Sequence, residues 1–244
     1  MLCIGCQQET KPKVQEGPIL DAKVQEILDK SFKTMGGLKN WQQIKRLQFS
    51  KHFRLLDSLG KEEQNVQQYH DYTYMPQERY EYRWEKDSSW YQVVYENDAY
   101  KRYINDVVDA NAEEQKLKNA MLSSTFVINI PFKLLDEGVA VSYAGLDTLE
   151  GGIPVKVIKA TYNPSAHDNH STPDIWWYYF QEDSHLLEGY MVQHADHYSY
   201  VRNLTHTKAG GFTFPKHRKS WRVDKDRNEL YLRAEYHYGD YEVE

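Results

Sequence analysis

Glu229-Leu-Tyr-Leu-Arg-Ala-Glu-Tyr-His-Tyr238 is the stretch that decides the fold class. Leu230, Leu232, Ala234, Tyr236 and Tyr238 fall at every second position, and Tyr231, Arg233, Glu235 and His237 fill the gaps. A two-residue period is that of a strand with one buried and one wetted face. The device recurs upstream, with Tyr80, Tyr82 and Trp84 set against Arg79, Glu81 and Arg83, and again in Tyr91, Val93 and Tyr95. Leu47, Phe49, Phe53 and Leu55 alternate with Gln48, Ser50, His52 and Arg54. Ile175-Trp-Trp-Tyr-Tyr-Phe180 is aromatic on both faces, so it reads as a central strand covered on both sides.

Turn signals at 58–61, Met75-Pro76, Asp87-Ser88-Ser89 and Asn97-Asp98 leave only short gaps between these runs. Gaps that short permit antiparallel meanders and exclude parallel crossovers, which need a dozen residues or more. Further strands are expected over 139–143, 155–162, 175–181, 186–194, 197–204, 212–223 and 229–238. Two segments break the pattern. Leu20, Val24, Ile27, Leu28, Phe32 and Met35 recur at helical spacing and end at Gly36-Gly37, where glycine suits a helix C-terminus. A second helix is expected from about Ala112 to Ile128, broken at Pro131 and closed at Gly138, and its apolar end reads as a plug for the concave side of the sheet.

The resulting expectation is an α+β fold: an open, strongly curved antiparallel β-barrel of about ten or eleven strands wrapped around helices. Residues 19–244 carry no internal linker or repeat and are expected to form one domain. The chain has 20 Tyr and 6 Trp but only 40% apolar residues, which suits strands that bury one face. A formal charge of −6 with no long basic run argues against nucleic acid. No segment approaches the roughly 20 apolar residues of a membrane span.

Residues 1–18 are expected to lie outside the fold. Ile4-Gly5-Cys6 has the small residues that signal peptidase requires before a lipidated cysteine, so Cys6 is the expected site of acylation by palmitate-type chains. Only five residues precede it, and a complete signal carries an apolar run of about 7 to 15, so Met1-Leu-Cys-Ile-Gly5 reads as a signal remnant. The polar run from Gln7 to Pro18 reads as a tether. Each buried methylene contributes about 0.8 kcal/mol, so two or three chains on Cys6 would hold the protein at a membrane.

Chemistry-bearing motifs are sparse. No nucleophile elbow, phosphate loop or His-Glu-x-x-His run occurs, so no catalytic residue and no cofactor is expected. His167 with His170, and His194 with His197, share a His-x-x-His spacing. The second pair could chelate together only if a turn separated them, because residues three apart on a strand point to opposite faces. Ordinary solvated or hydrogen-bonded histidines are the expectation, and no metal site is assigned. The aromatic stripes are the remaining candidate. Tyr80, Tyr82, Trp84, Phe126, Phe132, Trp177, Tyr179, Leu232 and Tyr236 are expected to wall a cleft for a lipid or other apolar ligand, if the helices fill the sheet only in part. A fully filled core, serving a structural or interaction protein, is the alternative; a hydrolase using the histidine pairs is a more remote one.

Three stretches together resemble a known group: Met35-Gly-Gly-Leu-Lys-Asn-Trp41, Pro131-Phe-Lys-Leu-Leu-Asp-Glu-Gly138 and Val155-Lys-Val-Ile-Lys-Ala-Thr-Tyr162. Their order is similar to that of uncharacterised lipoprotein families of Bacteroidetes-type bacteria, which resemble in fold the lipoprotein-localisation carriers LolA and LolB. The resemblance implies periplasmic or outer-membrane residence and an apolar concavity that receives acyl chains; a monomer, lipid-anchored at the outer membrane of the cell envelope, is the expectation. It implies no activity and transfers no functional residue.

Overall fold

The computed structural model describes residues 20–163 and 174–244. Cys6, the tether, His167 and His170 lie outside the described residues. The chain opens with α1 (Ala22–Thr34), whose first turn is capped by the Asp21 carboxylate accepting from the backbone N–H groups of Lys23 and Val24, each at 2.9 Å. A single turn, α2 (Leu38–Trp41), follows Gly36-Gly37. Gly36 takes φ +115°, and a Cβ there would meet the Phe212 ring at 2.4 Å, so both conformation and space require glycine.

Thirteen strands then form one antiparallel sheet among the described residues. The first six are β1 (Arg46–Leu56), β2 (Glu62–Thr73), β3 (Arg79–Lys86), β4 (Ser89–Glu96), β5 (Ala99–Ile104) and β6 (Val107–Val108). After α3 (Glu114–Asn129) and a 3₁₀ turn (Phe132–Leu135) come β7 (Val139–Leu149), β8 (Ile153–Tyr162), β9 (Ile175–Gln181), β10 (Leu187–Gln193), β11 (Tyr198–Ala209), β12 (Phe212–Val223) and β13 (Glu229–Val243). The count exceeds the expected ten or eleven partly because β6 has only two residues and carries no readable period.

The strand order is β6-β5-β4-β3-β2-β1-β13-β12-β11-β10-β9-β8-β7. Both halves are plain meanders. They are joined at the middle by β1 against β13, where Lys51 faces Tyr238 and Phe53 faces Tyr236. The chain therefore starts in the centre, walks out to the β6 edge, and must cross to the β7 edge before walking back. The segment that crosses is α3 with its 3₁₀ turn. The first meander is shaped by two-residue turns at Asp87-Ser88, Asn97-Asp98 and Asn105-Asp106, all with φ between 46° and 65°. Turns of that handedness match the right-handed twist of the strands they join, and Asn and Asp tolerate them.

The core is divided. One cluster packs α1 and the 3₁₀ turn on β7–β11, with Leu28, Phe32, Ile158, Tyr178 and Phe180 buried in it. A second packs α3 on β1–β4, β12 and β13, around Leu47, Tyr72, Met121 and Phe214. A third lies on the opposite face of β7–β12, with Val155, Tyr179, Met191 and Tyr200. The sheet coils so far that this outer face is covered at one end by the β12–β13 turn: Arg227 reaches Asp147 on β7 at 2.8 Å and lies 5.3 Å from the Tyr179 ring centroid. Among the described residues no helix is long and apolar enough to cross a membrane.

Candidate functional site

Helix α3 is the partition of the molecule. Leu117, Met121 and Ile128 recur on one stripe and are buried against the first meander. Phe126 points the other way, its ring 5.2 Å from Trp176 and 6.2 Å from Tyr162 on the second meander. At 100° per residue, two flanks remain between these faces. Each flank borders a cavity.

On the flank formed by Lys118, Leu122, Thr125 and Asn129 lies an open cleft of about 800 Å³. Its far wall is an aromatic ladder from β2–β5 in which Tyr74 meets Tyr80 at 5.8 Å, Tyr80 stacks on Tyr95 at 5.6 Å and Tyr95 meets Tyr100 at 4.7 Å. Trp41 and Phe132, stacked at 4.5 Å, bring α2 and the 3₁₀ turn into the same lining. Burial pushes the Tyr80 hydroxyl well above the usual phenol range, so the wall stays neutral. Several polar groups here are matched, although the buried Tyr74 hydroxyl has no partner: Lys133 pairs with Asp136 at 2.9 Å, Tyr95 donates to Asp98 at 3.1 Å, and Asn129 donates to the Thr125 carbonyl at 2.6 Å.

The flank formed by Ala120, Ser123, Ser124 and Val127 borders a smaller cavity of about 180 Å³. Its other wall comes from the centre of the sheet, where Lys51, Arg218, Tyr236 and Tyr238 all face α3. Arg218 is buried, donates to the Tyr190 hydroxyl at 2.8 Å and to the Tyr238 hydroxyl at 3.3 Å, and leaves its Nε without a partner. Desolvation, and secondly the neighbouring guanidinium, push the Lys51 ammonium down to about 8.

Of the residues singled out from sequence, Tyr80 and Phe132 line the cleft and Tyr236 lines the smaller cavity. Tyr82 and Trp84 belong to the core under α3, and Phe126 to the core under α1. Trp177 and Tyr179 lie in the cluster on the opposite face of the sheet, because Trp176, Tyr178 and Phe180 are the members of β9 that face the helices. Leu232 lines neither cavity. A bulge puts it opposite Trp221 while Ala234 sits opposite Ser220, so the even-numbered run of β13 does not stay on one face.

The histidines separate likewise. A hairpin turn does part His194 from His197, closed by the His194 N–H donating to the His197 carbonyl at 2.9 Å, and the rings lie 4.5 Å apart. Asp174 binds His194 Nδ1 at 2.8 Å. Among the described residues a different trio has metal-type ligand atoms all within 4.8 Å of one another: His217, Glu235 and His237. Alternation along β13 carries the last two, but their partner comes from β12 and was not legible locally. Arg54 at 3.0 Å and Lys219 at 3.6 Å already share the Glu235 carboxylate, so an ion there would have to displace them.

No protein-family profile matches this chain, and no curated protein matches it in sequence. Solved structures do match in fold. A DUF1329 family protein from Desulfovibrio piger is similar with a TM-score of 0.56 and 9% identity, over 91% of this chain and 93% of that one. A LolA superfamily protein from Nitrosomonas europaea gives a TM-score of 0.56 and 9% identity over 90% of this chain and 93% of that one. A putative outer membrane lipoprotein-sorting protein domain from Vibrio parahaemolyticus gives 0.53 and 7%, over 90% and 91% respectively. At these identities the likeness establishes a LolA-like fold.

Proposed function

We propose that this protein is a non-enzymatic binding protein of the cell envelope that holds a lipid or other apolar ligand in the cleft beside α3. The observation that carries the reading is the cleft itself: about 800 Å³, walled by stacked rings and opening between the helix and the first meander. That volume lies within the roughly 300–1,000 Å³ of small-molecule sites. Support also comes from the fold neighbours, one of which is described as a lipoprotein-sorting domain. Tyr80 and Phe132 contact the ligand in this reading; Tyr82, Trp84 and Phe126 set the position of the wall and of α3 from behind. Residues 19–244 act as one unit, and acylated Cys6 anchors it to the outer membrane through the polar tether from Gln7 to Pro18.

The test uses delipidated protein titrated with palmitate, a monoacylglycerol and a phospholipid, followed by native mass spectrometry. Saturable one-to-one uptake of at least one is expected, and it should weaken when Leu122, on the α3 side of the cleft, is enlarged. Failure of all three to bind would end the container reading. The anchor is tested separately by Cys6→Ser in the native host, which should move the protein from the membrane fraction into the soluble one; unchanged membrane retention would refute acylation at Cys6.

A further inference from the structure

The smaller cavity on the other flank of α3 has a chemistry that an apolar ligand does not explain. Its two cations come from the centre of the sheet. Lys51 of β1 sits 5.6 Å from the Tyr236 ring centroid and Arg218 of β12 sits 5.9 Å from the same centroid. Among the other described arginines Arg46, Arg54, Arg79, Arg102, Arg227 and Arg233 each pair with a carboxylate, whereas Arg83, Arg202 and Arg222 form no such ion pair; of these three only Arg202 is buried, and it does not line this cavity. Among the described residues neither Lys51 nor Arg218 forms an ion pair, and Arg218 is only 3% exposed. A guanidinium cannot discharge itself by losing its proton. A buried guanidinium beside a half-buried ammonium, with no counter-ion between them, is unfavourable, and such groups are normally paired.

The surroundings supply the rest of a receptor for a negative group. Ser123 and Ser124 line the cavity from α3, the Ser123 hydroxyl donating to the Asn119 carbonyl at 2.8 Å and the Ser124 hydroxyl accepting from Tyr72 at 3.0 Å, and Tyr190, Tyr236 and Tyr238 line it from the sheet. The buried Nε of Arg218 has no hydrogen-bond partner. No Asp or Glu lines the cavity. Its volume of about 180 Å³ corresponds to about six waters at ~30 Å³ each, enough for an oxyanion with a few attached carbons and too little for a whole acyl chain.

We propose that Lys51 and Arg218 form an oxyanion site, which holds a carboxylate or phosphate group between the centre of the sheet and α3. Tyr238 and Tyr190 orient the guanidinium, and Ser124, whose hydroxyl accepts from Tyr72 and keeps its own proton, offers a further donor from the helix. The anion is either a free small ion or the head of a larger ligand whose tail lies outside the cavity. Because the site is across α3 from the cleft, it stands or falls independently of the apolar ligand proposed there.

The experiment is isothermal titration of the full chain, at low ionic strength, with inorganic phosphate, with butyrate and with palmitate. Uncharged monoacylglycerol is the control for the cleft. At least one anion is expected to bind saturably at one site, with affinity falling tenfold or more in Lys51→Met and in Arg218→Met. Arg218→Lys should restore most of it. Monoacylglycerol binding should change less than about twofold in all three. Binding of phosphate or butyrate identifies a free-anion site; binding of palmitate alone that falls in Lys51→Met and Arg218→Met identifies the head of a longer ligand, whereas palmitate binding untouched by both substitutions belongs to the cleft and overturns the site. Should no anion saturate it in the millimolar range, or should binding survive both methionine substitutions, the site does not exist. Circular dichroism of Lys51→Met, which removes a charge without removing bulk, guards against misreading an unfolded variant.

Discussion

The two flanks of α3 face the same sheet across the same helix, yet they differ in how their charges are settled. On the cleft side Lys133 has Asp136, Tyr95 has Asp98 and Asn129 has the helix backbone. On the small-cavity side Lys51 and Arg218 share a wall of phenol rings and have no carboxylate. The difference teaches that volume and chemistry are distributed separately here. The large space offers an aromatic far wall and holds charges of both signs, Lys118 and Lys133 with Glu78, Asp98 and Asp136; the small one is lined by positive charge alone. A fold built only to close its core would have no reason to put an ammonium and a guanidinium side by side.

The comparison depends first on α3 staying seated, and the largest effect is expected from Met121→Ala. Met121 is fully buried on the stripe between the two flanks, against the strands of the first meander. Truncating a buried methionine costs about 3 kcal/mol, counting lost burial and the void left behind. Urea denaturation should show that loss, and ligand binding on both flanks should weaken together. A loss below about 1 kcal/mol would mean that the helix is held from elsewhere and that the two flanks are not defined by it.

A sharper separation comes from Lys51→Met, which is expected to stabilise the empty protein. The ammonium is pushed from its ordinary value to about 8 by desolvation first and then by Arg218. Its other near neighbours are His70 and the Tyr236 and Tyr238 phenols, none of which carries a negative charge to offset it. In the window between pH 8 and about 10.5 the unfolded chain holds more protons than the folded one, so wild-type stability rises with pH across it. The substitution should gain on the order of 2 kcal/mol at pH 7 and abolish that rise. Equal stability at pH 7 would show that Lys51 already has a counter-charge.

Leu122→Trp addresses the cleft alone. A larger ring there should weaken acyl binding about tenfold, or about 1.4 kcal/mol, and leave anion binding and stability nearly unchanged. Parallel loss of anion binding would join the two cavities into one site.

How far the sequence already spoke is uneven in the same way. Period-two alternation located the strands, Gly36-Gly37 ended α1, and Pro131 separated α3 from the 3₁₀ turn where it was expected to. The Asp87-Ser88 and Asn97-Asp98 turns were readable; Asn105-Asp106, with the same chemistry, adds the two-residue β6 that no periodicity announces. Which face of a strand meets which cavity was less legible. Alternation sorts residues into two faces, but β9 is aromatic on both, and only the coiling of the sheet decides that Tyr178 meets the helices while Tyr179 meets Arg227. The bulge at Leu232 is invisible in a run that alternates without a break. One signal was present and unread: Lys51 occupies the apolar register of β1, between Phe49 and Phe53, where a lysine interrupts an otherwise greasy face. A charge on the wrong side of a clean period marks a place where burial has been bent to another purpose.

The smallest effect concerns His70, which lies at the back of the same wall. Its ring stacks on Phe49 at 4.5 Å and on Tyr82 at 5.5 Å, and Nδ1 lies 2.9 Å from the Tyr72 hydroxyl, which in turn donates to Ser124 of α3 at 3.0 Å. Desolvation, helped by the nearby Lys51 ammonium, holds His70 well below the ordinary histidine range, so it stays neutral in the folded state. The unfolded chain takes up a proton near pH 6.5 and the folded one does not, so stability is full above that value and falls as pH drops below it. The contribution is about 1 kcal/mol between pH 7 and 5.5. His70→Phe keeps the stack and leaves the Tyr72 to Ser124 bond in place, so the acid-side slope of the denaturation midpoint should flatten by that amount while anion binding at pH 7 is kept. If the slope is unchanged, the histidine reaches water from behind the cavity, and the low polarity that makes an unpaired Lys51 and Arg218 so costly is absent from that wall.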